Sequence, residues 1–325
     1  MLKRDCLKKN RPRGLKEGRF LLREMSTHNT QTWETCPSCA GKGEIVGISY
    51  SEEVFKCRTC GLFFLRESKG FVAGAYRDWY AGFQESSLTT ADILINDIRS
   101  TYERQLSVLE KLTKGRTILD FGCGLGTFLA IAKRQHWQVY GIDASPYAAN
   151  FAEKNFHIKY YSSLTECVSD SFDVVRVSQV LEHLPQPKEE LAQIHRVLKK
   201  HGILLVIAPN CESLCPLFIN RLRRLIHKKK FTSAVSGKGG HIIGFSVPSL
   251  TRMVTSLGFE PLRVFTVSMG SRTYYPLFYD GLLRIHSVFS ISINSLIRCW
   301  LPQIIDNLGN SFNRGRILVG YFQKV

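Results

Sequence analysis

The chain has 325 residues, 44% of them hydrophobic, a length and apolar content that support one large domain plus an accessory module. Its 44 Lys and Arg against 27 acids give a formal charge of +17, which points to an anionic neighbour such as nucleic acid, an acidic membrane surface or a phosphorylated substrate. Ten cysteines without an export signal argue against a disulfide framework and for metal ligands and free thiols in a reducing, cytoplasmic compartment.

In chain order, residues 1–32 read as a disordered basic tail, with nine Lys or Arg against three acids in the first 24 and no apolar h-region of a signal peptide. A second basic run, Arg221–Lys230, accounts for much of the remaining excess. Charge concentrated in appendages fits a near-neutral enzyme better than one continuous nucleic-acid face. Residues 33–68 carry Cys36-Pro-Ser-Cys39 and Cys57-Arg-Thr-Cys60-Gly61, two C-x2-C knuckles separated by seventeen residues. That spacing predicts a zinc ribbon in which Cys36, Cys39, Cys57 and Cys60 hold one tetrahedral Zn²⁺; coincidental pairing or a redox dithiol is the alternative. Four thiolates leave no open coordination position, so the metal is expected to be structural. Residues 69–114 form a helical connector, because Ile93, Ile95, Ile98, Tyr102, Leu106 and Leu109 fall at helical spacing over Thr89–Leu112.

From residue 115 to 325 strands and helices alternate, which predicts an α/β domain with a parallel sheet. Expected strands are Thr117–Asp120, Gln138–Ile142, Lys159–Tyr161, Phe172–Val177, Gly202–Ala208, Leu262–Val267 and Arg316–Phe322. Two inserts interrupt the pattern, at about 212–240 and 273–310. In the first, Leu214, Phe218, Leu222, Leu225 and Ile226 make an apolar stripe opposite Arg221, Arg223, Arg224, His227 and Lys228. Such a helix either covers an active site, the preferred reading, or lies on an anionic membrane. The second is rich in Leu, Ile, Phe and Tyr; together they suggest a hydrophobic or lipid-linked acceptor or a homodimer surface. No window reaches the roughly 18 uncharged apolar residues of a membrane helix.

The segment Thr117-Ile-Leu-Asp-Phe-Gly-Cys-Gly-Leu-Gly-Thr127 is a strand running into a glycine-rich turn and then a helix. Gly122, Gly124 and Gly126 are spaced G-x-G-x-G, not the G-x-G-x-x-G of a dinucleotide fingerprint. Asp120 before the glycines would repel a pyrophosphate but suits S-adenosylmethionine (SAM), which carries an ammonium and a sulfonium. Asp143, at the end of the next strand, has the usual position for gripping ribose hydroxyls. A tight turn with a structural Asp is the alternative.

Ile118–Thr127 with Val139–Asp143 resembles the first two motifs of class I SAM-dependent methyltransferases. Phe172-Asp-Val-Val-Arg-Val-Ser-Gln-Val-Leu-Glu-His-Leu184 resembles their fourth-strand motif in the ubiquinone-biosynthesis-like branch. Leu198–Asn210 resembles the fifth-strand motif, and Gly240-His-Ile-Ile-Gly-Phe-Ser246 with Leu257-Gly-Phe259 the substrate-side segment. The resemblance implies a Rossmann-like, seven-stranded, mostly parallel sheet, SAM as cofactor and Gln179 among the cofactor-binding residues. It departs from many members at Ser162–Thr165, where an acid for the adenine amine is expected. His183 after the fourth strand is the first candidate general base, with Glu182 beside it to orient it or touch the cofactor, and His241 is the second. Helix-capping and surface-loop roles stay open for these histidines. No Asn/Asp-Pro-Pro-aromatic motif stands at Ser178–Leu181, and Cys211 reads as a buried thiol. The leading expectation is a methyltransferase acting on oxygen or carbon of a small-molecule, sugar or lipid-linked acceptor, in cell-surface polysaccharide metabolism as the ribbon's likeness to such enzymes suggests. An RNA methyltransferase and a non-catalytic SAM-binding module are the alternatives.

Overall fold

A computed structural model describes residues 30–32, 35–49, 52–69, 91–214, 235, 240–268 and 301–325. The tail before Thr30, the basic stripe beyond Leu214 and most of the second insert lie outside the described residues. Among the described residues, no helix is long and apolar enough to cross a membrane.

The N-terminal part is built from short strands: β1 (Thr30–Thr32), β2 (Gly43–Ser49), β3 (Glu52–Cys57), β4 (Phe63–Leu65) and β5 (Glu67–Lys69). Thr30–Thr32, assigned to the tail by composition, instead pairs antiparallel with β5, in register Thr30↔Lys69. Three Thr/Gln residues suit a strand once a partner is available, although they lack an apolar pattern to announce it.

Helix α1 (Ala91–Leu112) follows, with Leu106 and Leu109 buried at helical spacing. Then come β6 (Thr117–Phe121), α2 (Thr127–Arg134), β7 (Gln138–Ile142), α3 (Pro146–Phe156), β8 (Lys159–Tyr160), β9 (Phe172–Ser178), α4 (Pro187–Val197) and β10 (Leu198–Pro209). The chain continues through β11 (Ile243–Gly244), α5 (Val247–Thr255), β12 (Phe259–Val267), α6 (Leu301–Ser311) and β13 (Ile317–Lys324). Local chemistry sets several starts. Ser145 accepts the Ala148 N–H ahead of Pro146 in α3, and Ser246 with Ser249 closes a capping box at α5. In α4, Glu189 and Glu190 occupy the first turn and His195 and Arg196 the last, matching the helix dipole.

Seven strands form one sheet in the order β12-β13-β10-β9-β6-β7-β8. The five from β10 to β8 run parallel, and β13 is antiparallel to both β10 and β12. This is the expected seven-stranded, mostly parallel arrangement. Because helices cover both faces, the central strands are apolar on both sides: Ile118 and Leu119, Val174 and Val175, Ile203 and Leu204 are each fully buried, on opposite faces. One face packs on α1, α2 and Trp137; the other packs on α4, α5 and the cysteine-bearing module. Each such Leu or Ile contributes about 1.5–3 kcal/mol of burial. The contiguous pairing of β10 with β9 starts at Ile203, after a register shift in which His201 takes φ 62°.

β11 lies outside the large sheet, although the next residue, Phe245, bridges to Asn210 just beyond β10. β11 pairs antiparallel with β4, so the module's sheet has the order β11-β4-β3-β2. Val54, Leu62, Phe64 and Leu65 from the module share one core with Leu204, Phe245, Leu250 and Met253.

Candidate active site

β6 lies between β7 and β9, so successive connections leave it in opposite directions. This is the switch point where open α/β sheets hold ligands, beyond the carboxyl ends of the strands. The glycine turn stands there. Gly122, Gly124 and Gly126 take φ of 80°, 53° and 76°, in the left-handed region. A Cβ on Gly122 would sit 2.2 Å from Val180 Cγ2. The turn is held from below by the Gly122 and Cys123 N–H groups, which donate to Ile142 O at 2.8 and 3.0 Å. α2 starts without a side-chain cap and with no acid in its first turn. Its leading N–H groups therefore form a positive end facing the turn.

Asp143 is largely buried and accepts from Gly124 N at 2.7 Å and Ser145 N at 2.8 Å. It thus ties the glycine turn to the start of α3. Burial raises its carboxyl above the usual range against those two bonds. Asp120 lies deeper, 1% exposed, and both its oxygens accept from Arg176 Nη1 at 2.8 and 3.0 Å. Burial raises its carboxyl above the ordinary range, with Arg176 pulling it back. The Arg176 guanidinium also lies 4.2 Å over the Phe128 ring and donates to Gln105 Oε1 of α1 at 3.2 Å. Arg176 is not among the residues expected at the site from sequence. The signal was present: one guanidinium inside the apolar run Phe172–Val177 must meet a buried partner, and Asp120 is its register neighbour.

Gln179 sits at the end of β9 with φ 57°, a conformation that costs a non-glycine residue about 1–2 kcal/mol. Its N–H donates to Ile207 O at 2.8 Å. Beyond the third parallel strand no acid occupies Ser162–Thr165; Glu166 turns back, with its carboxylate accepting from Ser162 N at 2.9 Å and from the Ser162 hydroxyl.

His183 and His241, distant in sequence, stand together. Their rings are 4.7 Å apart at 70°. His183 Nδ1 lies 2.8 Å from Gly240 O. A carbonyl only accepts, so Nδ1 carries the proton and the lone pair is on Nε2. Burial lowers the pKa of His183, and burial with the neighbouring His183 pushes His241 down to about 4. Both rings are neutral near pH 7. Glu182 completes the group, with a ligand atom within 4.8 Å of one on each histidine. Its carboxylate is 1% exposed, has no hydrogen-bond partner on either oxygen among the described residues, and is raised by burial to about 8. Two neutral imidazoles and a carboxylate at this spacing could hold a divalent cation.

In the cysteine module, the Sγ atoms of Cys36 and Cys60, and of Cys39 and Cys57, are 3.5 Å apart, and all four lie within 4.8 Å of one another. A tetrahedral ion with Zn–S bonds of 2.3 Å requires about 3.8 Å between sulfurs, so the set fits. Ser38 N and Cys60 N each lie 3.4 Å from a cysteine sulfur, and Gly61 with φ 78° closes the second knuckle. Cys211 is buried, its thiol raised by the apolar surroundings, as an inert residue would be.

With this geometry in view, residues 94–264 match the family model described as a methyltransferase domain. The chain is 30% identical over 190 residues to a ubiquinone biosynthesis O-methyltransferase of Dinoroseobacter shibae, covering 53% of this chain and 70% of that protein. It is 30% identical over 123 residues to the mitochondrial ubiquinone biosynthesis O-methyltransferase of Schizosaccharomyces pombe, covering 35% and 45%. A SAM-dependent methyltransferase structure from Archaeoglobus fulgidus superposes with a TM-score of 0.47 at 19% identity, covering 77% of this chain and 99% of that one. The chain spans about half the length of the first curated relatives it matches. The chain belongs to the methyltransferase-domain family, in its SAM-dependent class I division. Its curated relatives include ubiquinone biosynthesis O-methyltransferases and a malonyl-[acyl-carrier protein] O-methyltransferase of Paenibacillus sp..

Proposed function

We propose that the protein moves the methyl group of SAM to a hydroxyl oxygen of a small organic acceptor. The observation that carries this reading is the pairing of the glycine turn, anchored by Asp143, with the His183–His241 pair one turn beyond β9. The turn fits SAM on three counts: a Cβ at Gly122 would clash, the α2 N-terminus is uncapped, and no acid there opposes the cofactor's carboxylate. SAM, when bound, supplies an already activated methyl, so the protein's task is orientation and proton removal. Gly122, Gly124 and Gly126 admit the cofactor, Asp143 borders its ribose, and Gln179 holds the strained corner between cofactor and acceptor. Asp120 fixes the base of the turn through Arg176. His183, its Nδ1–H committed to Gly240 O, presents Nε2 to take the acceptor's proton, and His241 packs edge-on against it.

The relatives' O-methyltransferase names support oxygen as the acceptor atom, and the apolar inserts support a hydrophobic, sugar or lipid-linked molecule, including cell-surface polysaccharide precursors. The net charge of +17 speaks for RNA and its concentration in two short segments speaks against it; salt-sensitive RNA binding by the purified protein would move the reading there. Incubating cell extracts with methyl-labelled SAM and the protein, then finding the labelled product by mass spectrometry, tests the proposal. Label confined to macromolecular RNA would overturn it.

A second reading of the same cluster rests on Glu182. A buried carboxylate without a partner costs several kcal/mol unless it is protonated or meets a cation. In that reading Glu182, His183 and His241 hold a divalent ion that orients the acceptor. Calorimetric titration of the zinc-loaded protein with Mg²⁺ or Mn²⁺ showing one site in the wild type and none in Glu182→Gln supports it; silent titrations remove it. The four-cysteine module is proposed to hold one structural Zn²⁺.

A further inference from the structure

The four-cysteine module makes a backbone connection to the histidine pair that a mere appendage would not need. Its second knuckle, Cys57–Cys60, is the turn between β3 and β4: Cys57 N donates to Leu62 O at 2.8 Å, and Lys56 pairs with Phe63. β4 then pairs with β11, in register Ile243↔Phe64 and Gly244↔Phe63. One residue before β11, Ile242 is held on both sides of its backbone. Its carbonyl accepts from Leu65 N of the module at 3.1 Å, and its N–H donates to Glu182 O at 2.9 Å. Ile242 follows His241, and Glu182 precedes His183. Three side-chain ties fasten the same seam: Lys56 to Glu212 at 2.8 Å, Arg252 to Thr59 O at 2.8 Å, and Lys188 to Ser38 O at 3.5 Å. The glycine turn shares none of these bonds, being held by β7 and Asp143.

We propose that the cysteine module is a positioning part of the active site, which sets His241 against His183 by holding segment Gly240–Gly244 on strand β4. The metal-tied knuckle fixes the β3–β4 turn, β4 fixes β11, and β11 with Ile242 fixes the loop that presents His241. The module therefore acts on the acceptor side of the site and leaves the SAM side alone. The inference rests on the proposed role of His183 and His241 for its catalytic consequence, but the structural coupling can be read without any acceptor.

The test uses the full chain, as purified and after zinc removal by a chelator, together with Cys39→Ser, whose cysteine is the exposed member of the four. Histidine modification by diethyl pyrocarbonate is followed by peptide mass spectrometry, with exposed His136, His157 and His201 as internal controls. Loss of zinc is expected to speed modification of His241 by about tenfold or more, the scale of a local opening, with the controls unchanged. SAM affinity by calorimetry is expected to stay within about twofold, and returned zinc is expected to restore protection in the wild type. Unchanged protection of His241 without zinc overturns the proposal. So does simultaneous loss of protection and SAM binding, which would make the metal a support of the whole fold. Wild-type turnover in a His183→Ala/His241→Ala double variant would sink the catalytic reading while leaving the coupling measurement standing.

Discussion

Replacing Arg176 with Met strands the Asp120 carboxyl in an apolar site. Asp120 is 1% exposed and takes both its charge-assisted bonds from Arg176. Breaking one side of such a buried pair costs about 3–5 kcal/mol. The carboxyl escapes part of that penalty by keeping a proton. Protonating a group with an unfolded pKa of about 3.9 at pH 7 costs about 4 kcal/mol, at 1.36 kcal/mol per unit, which sets a ceiling on the electrostatic loss. The sign follows from linkage. In the variant the folded state holds a proton that the unfolded state releases above about pH 3.9, so folding is penalised more as pH rises. At pH 5 the same ceiling falls to about 1.5 kcal/mol. Met keeps much of the packing against Phe128, so the pH-dependent part dominates. Urea unfolding followed by circular dichroism at pH 7 and pH 5 is the assay, with an Asp120→Leu/Arg176→Met double variant as control. The double variant is expected to recover most of the loss, because two apolar side chains replace the pair. Equal destabilisation of single and double variants at both pH values would show that the ion pair is not what holds the base of the glycine turn.

Three further outcomes are expected. Gly122→Ala places a methyl 2.2 Å from Val180 Cγ2 at φ 80° and is expected to weaken SAM binding about five- to thirtyfold, as about 1–2 kcal/mol of strain implies; calorimetry giving the wild-type Kd refutes the cradle. His183→Ala is expected to lower turnover about a hundredfold or more with SAM affinity intact, and unchanged kcat on the labelled acceptor removes it as base. The wild type is expected to carry one equivalent of zinc by elemental analysis and Cys57→Ser to carry none; a normally folded wild type without zinc refutes the metal assignment.

Much of the architecture could be read from residue order. The parallel strands announce themselves because burial on both faces demands unbroken runs such as Val174-Val175 and Ile203–Val206, and each expected strand lies within a few residues of an observed one. The glycine turn was legible because positive φ at Gly122, Gly124 and Gly126 admits few other residues. What stayed hidden depends on contacts between distant segments. Nothing in Gly240–Gly244 shows that it would leave the main sheet for β4, since two residues are too few to carry a period. The meeting of His183 with His241 is a product of that same docking. Arg176 was visible but uninterpreted, because its partner is three strands away in sequence and adjacent in space. Thr30–Thr32 failed for the opposite reason: its composition is that of a tail, and only β5 makes it a strand.

The position of β13 has a consequence for how the chain reaches this state. Among the described residues β12 is an edge strand whose one neighbour in the large sheet is β13, and β13 also completes β10, pairing Ile203 with Gln323. On a ribosome, β10 and β12 therefore emerge well before the strand that joins them. Until it arrives, the outer edge of β10 presents a row of unpaired amides flanked by Leu204, Leu205 and Val206, the kind of edge that recruits another chain. Pairing of segments so far apart in the chain is also slow relative to local folding. Nascent or truncated forms of this protein should depend on chaperone shielding of that edge, and mutations that weaken β13 should first appear as aggregation during synthesis, before any loss of thermal stability is measurable.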